Sequence, residues 1–309
     1  MKAICLEQSP PSPVLVGRDL PVPQPGAGEL LIRVHAAGVT PTELVWYPTT
    51  HTKAGTPRLH AVPGHEFSGE IAAVGEGVTT FTVGQAVYGM NDWFADGATA
   101  EYCLTVPAQV APKPANLSHP EAASVPIGAL TAWQGLFSKA KLKAGERVLI
   151  HGGAGAVGVY AIQLARQAGA QVITTASARN AEFLHELGAQ KVIDYHTERF
   201  EDAAGPVEVI FDGVGGETLQ RSWGLLGASG RLVTIAADSE GTPDERTKAA
   251  FFIVEPHQQQ LQEIAAMLDA GTLKTLVDAV LPLAEAPAAY LSQAPRSHGR
   301  GKVVIDCTR

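Results

Sequence analysis

The 309-residue chain has few cysteines, no basic tract and no long apolar run, and each shortage excludes a class of protein. Cys5, Cys103 and Cys307 lie far apart without a C-x-x-C pair, so neither a disulfide framework nor a cysteine zinc site is predicted. A formal net charge of −8, without clustered Lys and Arg, argues against nucleic acid as a partner. Because no stretch of about 18 apolar residues occurs, no membrane partner is expected.

The chain does contain enough apolar material for a substantial core. Hydrophobic residues make up 45% of the sequence and charged residues 17%, and the length indicates two domains. The first residues, MKAICLEQ, lack the apolar run of a signal peptide, so a cytoplasmic protein is expected.

The sequence pattern changes near residue 120. Before it, short β-rich runs such as ELLIRVHAAGV and QAVYGM alternate with Pro- and Gly-rich turns, as in an antiparallel barrel or sandwich. After it, strands and helices alternate, which predicts an α/β domain with a doubly wound parallel sheet and FFIVE as a sixth strand. The helices of this part are predicted at 156–169, 179–188 and 216–227. The last stretch returns to strand, short helix and strand, so residues 1–120 and 272–309 are assigned to one domain and residues 121–271 to the other.

A glycine-rich loop follows the first strand of the second domain. Gly153, Gly155 and Gly158 fit G-x-G-x-x-G, directly after the β-rich run VLI and before a helix with one apolar stripe. Glycines allow backbone amides to approach a pyrophosphate, which the helix N-terminus then holds. The loop therefore predicts a dinucleotide site, although a tight turn without a ligand would use the same glycines.

The residues after the second strand discriminate between the two nicotinamide cofactors. An NAD-specific enzyme places Asp or Glu about 20 residues beyond the loop, to bind the ribose 2′-hydroxyl. Here Ser177 and Arg179 occupy that region, and a hydroxyl with a guanidinium suits a 2′-phosphate. NADPH is therefore the predicted cofactor, with Tyr195 beside the same phosphate or the adenine. The alternative is that Ser177 caps the next helix and Arg179 is solvated.

Several segments together resemble the medium-chain dehydrogenase/reductase superfamily, in its zinc-independent NADPH:quinone oxidoreductase (ζ-crystallin-like) branch. They are AAGVTPTE, VPGHEFSGEIAAVGEGV, HGGAGAVGVYAIQLARQAGAQVITTAS, GAQKVIDY and VIFDGVGG. The resemblance implies a GroES-like β-barrel catalytic domain plus a Rossmann NADP(H)-binding domain, with the active site in a cleft between them. It also implies a homodimer.

The zinc enzymes of the superfamily can be compared with this chain residue by residue. Thr40 stands where they have a cysteine ligand, His65 stands at the histidine ligand with Glu66 beside it, and the segment 124–128 offers neither Cys nor Asp. A catalytic zinc needs three protein ligands, so no metal is predicted. His65 and Glu66 are then expected to form hydrogen bonds, with Thr40 or Glu43 as partners.

Without a metal, hydride delivery to an already electrophilic acceptor is easier than oxidation of an alcohol. Quinones and α,β-unsaturated carbonyls spread the arriving charge, so the enzyme chiefly has to orient them and donate a hydrogen bond. Thr40, Tyr47 and Tyr88 are the predicted catalytic donors, although each is also explained as an ordinary packed or exposed residue. The apolar wall for a planar acceptor is expected from Trp46, Tyr47, Trp93 and Phe94.

The resemblance implies further cofactor contacts. Thr131 matches a residue near the nicotinamide, and the pyrophosphate loop comprises Gly153, Ala154, Gly155, Ala156 and Val157. Val214 and Ile235 follow central strands, where ribose and nicotinamide bind. Phe251, Phe252 and Ile253 are expected to flank the carboxamide.

The sequence therefore predicts an NADPH-dependent reductase of quinones or enones. Two alternatives stay open at this level. One is a zinc-free alcohol dehydrogenase, and the other is an NADPH-binding sensor or structural protein without turnover. Quinone and alkene substrates are not distinguished, because both need the same hydride geometry and an apolar slot.

Overall fold

The computed structural model describes residues 1–8 and 13–309 and divides the chain into two compact units. The first unit contains residues 1–127 and 255–309, and the second contains residues 128–254.

The first part of the chain is rich in strands. Its elements are β1 (Lys2–Gln8), β2 (Val14–Asp19), β3 (Leu30–Gly38), α1 (Tyr47–Thr50), β4 (Glu66–Val74), β5 (Ala86–Met90), β6 (Tyr102–Thr105), β7 (Val110–Pro112) and α2 (His119–Ala123). Strand β3 pairs antiparallel with β4, β6 and the C-terminal strand, so it lies at the centre of the larger sheet. Apolar side chains from alternate positions of these strands, such as Leu30, Ile32 and Phe67, form the core of the unit.

The second unit alternates strands and helices. Helix α3 (Pro126–Trp133) crosses the boundary into this unit. The elements that follow are β8 (Arg147–His151), α4 (Gly158–Gln167), β9 (Gln171–Ala176), α5 (Ala181–Leu187), β10 (Lys191–Asp194), α6 (Phe200–Ala204), β11 (Val207–Asp212), α7 (Gly216–Ser222), β12 (Leu226–Thr234) and α8 (Glu245–Ala250). Five parallel strands form one sheet in the order β10-β9-β8-β11-β12. The first strand of the unit, β8, is thus central, with β9 and β10 on one side and β11 and β12 on the other, so the order of strand addition reverses beside β8, as in a doubly wound sheet.

The last part of the chain returns to the first unit with α9 (Gln258–Asp269), β13 (Val277–Pro282), α10 (Ala286–Tyr290) and β14 (Lys302–Asp306). The sequence had placed α9 in the second domain. The structure differs because α9 buries Leu261, Ile264 and Leu268 in the first unit, where the Leu261 carbonyl accepts a hydrogen bond from Tyr88.

Two predicted elements are wrong. FFIVE forms no strand in the described part of the chain, because only Phe251 bridges to Thr234 before the segment leaves the sheet. The helix predicted over 216–227 ends at Ser222, and a short 3₁₀ turn leads into β12 at Leu226. Among the residues described, no helix is both long enough and apolar enough to cross a membrane.

Candidate functional site

The glycine loop joins β8 to α4, and its three glycines leave different amounts of room for a Cβ atom. A Cβ on Gly153 would lie 2.2 Å from Oγ1 of Thr174 on the adjacent strand. A Cβ on Gly158 would lie 2.3 Å from the carbonyl oxygen of Gly152, so this glycine allows the helix to start close to the strand. A Cβ on Gly155 would meet only the same carbonyl oxygen, at 3.2 Å. The first and third glycines therefore serve packing, and the second leaves an open approach to the backbone.

The loop also presents backbone amides at its exposed turn. Gly153 donates its amide proton to the carbonyl of Thr175, and Gly155 donates to Gly152. The amides of Ala154 and Ala156 donate to no acceptor within residues 1–8 and 13–309. Such amides at a helix N-terminus are ready donors for a phosphate, so the loop fits the pyrophosphate of a dinucleotide.

The predicted cofactor residues follow strands that end at one edge of the sheet, which we call the carboxyl edge. The aligned pairs at this edge are Thr175 with His151, Ala176 with Asp194, His151 with Asp212 and Asp212 with Thr234. Ser177, Tyr195 and Val214 come one or two residues after these pairs, and Ile235 comes directly after Thr234. The structure thus brings these four residues and the glycine loop to one edge, where doubly wound folds bind ligands.

Ser177 does not cap the helix that follows it. Its hydroxyl oxygen instead accepts a hydrogen bond from Nδ2 of Asn180 at 3.1 Å, which leaves the hydroxyl proton for another acceptor. Arg179 lies exposed in the same 3₁₀ turn, and Tyr195 is exposed after the neighbouring strand. This end of the carboxyl edge therefore carries a hydroxyl, a cation and an aromatic ring, with no carboxylate between residues 176 and 179.

Asp212, at the end of β11, was not singled out from the sequence. Its buried carboxylate accepts hydrogen bonds from the amides of Val214 and Gly215 and from the hydroxyl of Thr234 at 2.8 Å. These bonds fix the turn that holds Val214 at the carboxyl edge. The pattern D-G-x-G-G after a strand is a local signal for such a turn, because Asp accepts from amides two and three residues on.

His151 is a second residue that the sequence analysis missed. The hydroxyl of Ser222 donates its proton to the carbonyl of Thr218. Its oxygen therefore accepts a hydrogen bond from Nε2–H of His151 at 2.9 Å. Nδ1 then accepts from Thr175 at 3.1 Å. Burial lowers the pKa of His151 to about 4, so the ring is neutral at pH 7 and links β8 to β9 and α7.

The remaining predicted cofactor residues differ in exposure. Thr131 is buried in α3, and Phe252 is buried with its ring close to Gly135. Phe251 and Ile235 are half-buried, and the amide of Phe252 donates to Thr234. The segment around Phe251 is thereby tied to the end of β12, and Ile253 beyond it is exposed.

In the first unit, Thr40 is held by a buried ion pair. Nζ of Lys302 donates a hydrogen bond to Oγ1 of Thr40 at 3.1 Å and forms an ion pair with Oε1 of Glu66. The other carboxylate oxygen of Glu66 accepts a hydrogen bond from the amide of Ile127. Burial raises the pKa of Glu66, and the ammonium of Lys302 opposes that shift. A lysine side chain is usually exposed to solvent. The structure instead buries Lys302 to 6% exposure, and no local pattern signalled this pairing.

His65 belongs to a separate buried network. Its Nδ1 lies 2.5 Å from Oε2 of Glu43, and its Nε2–H donates to the carbonyl of Ala95 at 3.2 Å. The other oxygen of Glu43 accepts the amide of Gly64. The expected hydrogen bond from His65 to Glu43 is therefore present.

These contacts test whether the zinc position of the related metal enzymes fits this chain. Both ring nitrogens of His65 are engaged by protein, and Thr40 offers only a hydroxyl that already accepts from Lys302. The segment 124–128 supplies no sulfur, imidazole or carboxylate. The residues at this position do not fit a catalytic zinc.

The two predicted tyrosine donors are in contrasting environments. Tyr47 is 51% exposed, and its ring stacks on His51 with centroids 4.4 Å apart. Tyr88 is fully buried, and its hydroxyl donates to the carbonyl of Leu261 at 2.6 Å. The geometry does not support Tyr88 as a substrate donor, because its proton is used inside the core. Among the predicted wall aromatics, Trp46 packs edge-on against Trp93 at 4.5 Å.

Comparison with known families and proteins adds independent information. Residues 26–115 match the family described as alcohol dehydrogenase GroES-like domain, and residues 187–305 match the family described as zinc-binding dehydrogenase. A probable zinc-binding oxidoreductase from Arthroderma benhamiae is 31% identical, covering 97% of this chain and 95% of that protein. The quinone oxidoreductase of Rattus norvegicus is 30% identical, with 99% and 97% covered. A 2-methylene-furan-3-one reductase of Solanum lycopersicum is 32% identical, with 92% and 73% covered.

Solved structures agree with these matches over the full chain. The quinone oxidoreductase of Coxiella burnetii superimposes with a TM-score of 0.86 at 33% identity, with 99% of each chain covered. The mycobacterial protein Rv1454c, solved with NADPH, gives a TM-score of 0.80 at 30% identity, again with 99% of each chain covered. The predicted fold class, a GroES-like domain with a Rossmann parallel sheet, is confirmed. The chain therefore belongs to the medium-chain dehydrogenase/reductase superfamily, and its similarity to quinone oxidoreductases is consistent with the zinc-independent branch.

Proposed function

We propose that this oxidoreductase is an NADPH-dependent reductase of quinones or α,β-unsaturated carbonyls that works without a catalytic metal. General oxidoreductase function and a nicotinamide cofactor follow from the family and its relatives. The preference for NADPH, the acceptor class and the residues in contact with each are the proposed part.

The second unit supplies the cofactor contacts of this proposal. The amides of Ala154 and Ala156 bind the pyrophosphate, with α4 behind them adding the favourable field of its N-terminus. When bound, the reduced nicotinamide supplies a hydride. Asp212 keeps Val214 in place beside the ribose, and Thr131 and the Phe251–Ile253 segment contact the nicotinamide end.

The arrangement of Ser177, Arg179 and Tyr195 is the observation that favours NADPH. The Ser177 hydroxyl keeps its proton for a 2′-phosphate oxygen, and the Arg179 guanidinium adds a charge-assisted bond. An Asp or Glu at this position would repel the phosphate, and residues 176–179 contain none.

The first unit supplies the hydrogen-bond donor to the acceptor oxygen. Because Lys302 donates to the Thr40 oxygen, the Thr40 hydroxyl proton is free to donate elsewhere, and the ammonium makes it a stronger donor. Hydride addition to an enone or quinone leaves negative charge on oxygen, which such a donor stabilises until a solvent proton arrives. Tyr47 is a second donor in this proposal, since its hydroxyl is accessible.

Cofactor oxidation at the nicotinamide absorbance band tests the proposal. We expect NADPH consumption with 1,4-quinones or enones, faster than NADH consumption, and unchanged after prolonged chelation and removal of the chelator. Reduction of NADP+ by alcohols would instead indicate an alcohol dehydrogenase, and tight NADPH binding without turnover would indicate a sensor. Loss of turnover on chelation, without loss of folding or of NADPH binding and restored by zinc, would overturn the metal-free mechanism.

A further inference from the structure

Two histidines and one glutamate meet in the first unit and have no part in the proposed reaction. His35 lies on β3, Glu70 on β4, and His119 is the first residue of α2. One potential ligand atom from each lies within 4.8 Å of the others. The two imidazole rings have centroids 4.1 Å apart, and Nε2 of His35 is 3.8 Å from Oε1 of Glu70.

His35 brings an unpaired nitrogen to this cluster. Its Nε2 is buried and has no hydrogen-bond partner in the described parts of the chain. Burial lowers the pKa of His35, so the ring is neutral at pH 7 and can offer a lone pair. A buried polar atom without a partner is uncommon in native proteins and calls for an explanation.

Ser68 determines which nitrogen of His119 is available. The hydroxyl of Ser68 donates to the carbonyl of Val87 at 3.1 Å, so its oxygen can only accept from Nδ1–H of His119, 2.8 Å away. This bond selects the tautomer whose Nε2 carries the lone pair. Burial lowers the pKa of His119 to about 4, so this lone pair is not protonated at pH 7. A hydrogen bond to the second nitrogen is the usual support of a metal-ligating histidine.

Glu70, like His119, has one atom held by a hydrogen bond and a second atom that can bind a metal ion. Its Oε2 accepts from the guanidinium of Arg33 at 2.5 Å, and its Oε1 faces His35. Arg33 lowers the pKa of Glu70, so the carboxylate is ionised at pH 7. The same guanidinium also neutralises part of the carboxylate charge, which limits the affinity for a cation.

We propose that His35, Glu70 and His119 bind one divalent transition-metal ion, with zinc as the ion that this ligand set suits. Two imidazoles and a carboxylate are an established zinc ligand set, which leaves a fourth position for water. Zinc-to-nitrogen bonds are about 2.0–2.1 Å long, so the three side chains have to close on the ion. The ion would connect β3, β4 and α2. The site shares no residue with the zinc position of the related enzymes, at which no metal is predicted.

Calorimetric titration of the full-length, chelator-treated protein with ZnCl₂ at neutral pH tests this site without NADPH or substrate. We expect saturation at one ion per chain. His35→Asn, His119→Asn and Glu70→Gln should each weaken binding at least about tenfold, and Ser68→Ala should weaken it by about 10–100-fold through loss of the tautomer. His298→Ala, an exposed histidine of the same unit, should bind zinc like the unchanged protein.

Cobalt provides a second measurement that is insensitive to modest loss of stability. Co²⁺ bound by all three side chains should show intense visible absorption, and Glu70→Gln, which keeps the shape of the side chain, should lose it. Absence of saturable binding near one ion per chain, or equal affinity in His35→Asn and His298→Ala, would overturn the proposal. Such a result would leave the proposed reductase function unaffected, because the titration involves no turnover.

Discussion

Thr40 and Arg179 carry the two recognition tasks of the proposed reductase, and the fold holds them differently. Thr40 accepts a hydrogen bond from a buried ammonium, so its orientation is fixed. Arg179 lies exposed in the 3₁₀ turn that follows β9. Substitutions at the two positions should therefore affect different kinetic constants.

Arg179→Ala should weaken NADPH binding by roughly 10–100-fold, because a charge-assisted bond to a 2′-phosphate contributes about 1.5–3 kcal/mol. NADH has no phosphate there, so its Kd should stay nearly unchanged. Fluorescence titration with both cofactors at two salt concentrations measures this, since an exposed ion pair is screened by salt. The control is Arg199→Ala, an exposed arginine paired with Asp202. Equal losses for NADPH and NADH would show that Arg179 supports the loop instead of binding the phosphate.

Thr40→Val should lower kcat/KM for quinones or enones by about 10–100-fold, the range for one lost hydrogen bond to a charged oxygen. NADPH affinity should not change, because Thr40 lies in the other unit from the glycine loop. Thr42→Val is the matched control, since Thr42 is exposed two residues further on. Steady-state kinetics give kcat/KM for both variants. Similar values for Thr40→Val and Thr42→Val would show that Thr40 does not donate a hydrogen bond to the substrate.

At the level of elements, the turn from β8 into α4 forms the proposed pyrophosphate site. A Cβ on Gly158 would overlap backbone atoms of the same turn, whereas a Cβ on Gly155 would meet a single backbone oxygen at 3.2 Å. Substitutions at the two glycines therefore distinguish the stability of the turn from its proposed contact with the pyrophosphate.

Gly155→Ala should lower the free energy of unfolding by less than about 1 kcal/mol, because its Cβ meets a single atom, the carbonyl oxygen of Gly152 at 3.2 Å. It should still weaken both NADPH and NADH, since the methyl group occupies the approach of the pyrophosphate. Gly158→Ala should instead destabilise the protein by about 1–3 kcal/mol, because its Cβ would overlap the carbonyl oxygen of Gly152. Thermal unfolding and cofactor titration of both variants measure the two effects. Full cofactor affinity in Gly155→Ala would contradict the proposed pyrophosphate contact.

For the whole molecule, buried neutral histidines predict loss of stability in acid. The pKa of His151 is about 4 in the folded chain, against 6.5 for an unperturbed histidine. Between these values the unfolded chain binds the extra proton, so stability is complete above pH 6.5 and falls as the pH drops toward 4.

His151→Gln should therefore show a weaker pH dependence than the unchanged protein. His151 alone accounts for about 2 kcal/mol of lost stability at about pH 5 by this linkage. His35 and His119, whose pKa values are also lowered by burial, are present in both proteins and cancel in the comparison. Calorimetric unfolding at pH 7.5 and pH 5 measures the difference, and parallel losses in both proteins would show that His151 is not the group responsible.

Local patterns determined the features that depend on neighbouring residues. The glycine spacing predicted the β8–α4 turn, because glycines give the backbone the freedom that such a turn needs. The strand order predicted that Ser177 and Tyr195 follow neighbouring strands, in a region without a carboxylate between residues 176 and 179. FFIVE looked like a strand for the same local reason, yet its segment makes a single bridge and leaves the sheet.

Only the tertiary structure decided which distant polar groups meet. Lys302 donates a hydrogen bond to Thr40, which lies 262 residues earlier in the sequence. The Tyr88 hydroxyl donates to the Leu261 carbonyl on α9. His35, Glu70 and His119 come from three separate elements. The physical reason is that a buried charge or polar atom must find a partner, and many pairings in the sequence would satisfy that need equally well. The packing of strands and helices selects one of these pairings. The hydrophobic periodicity of the sequence does not predict which one, because it depends only on local burial.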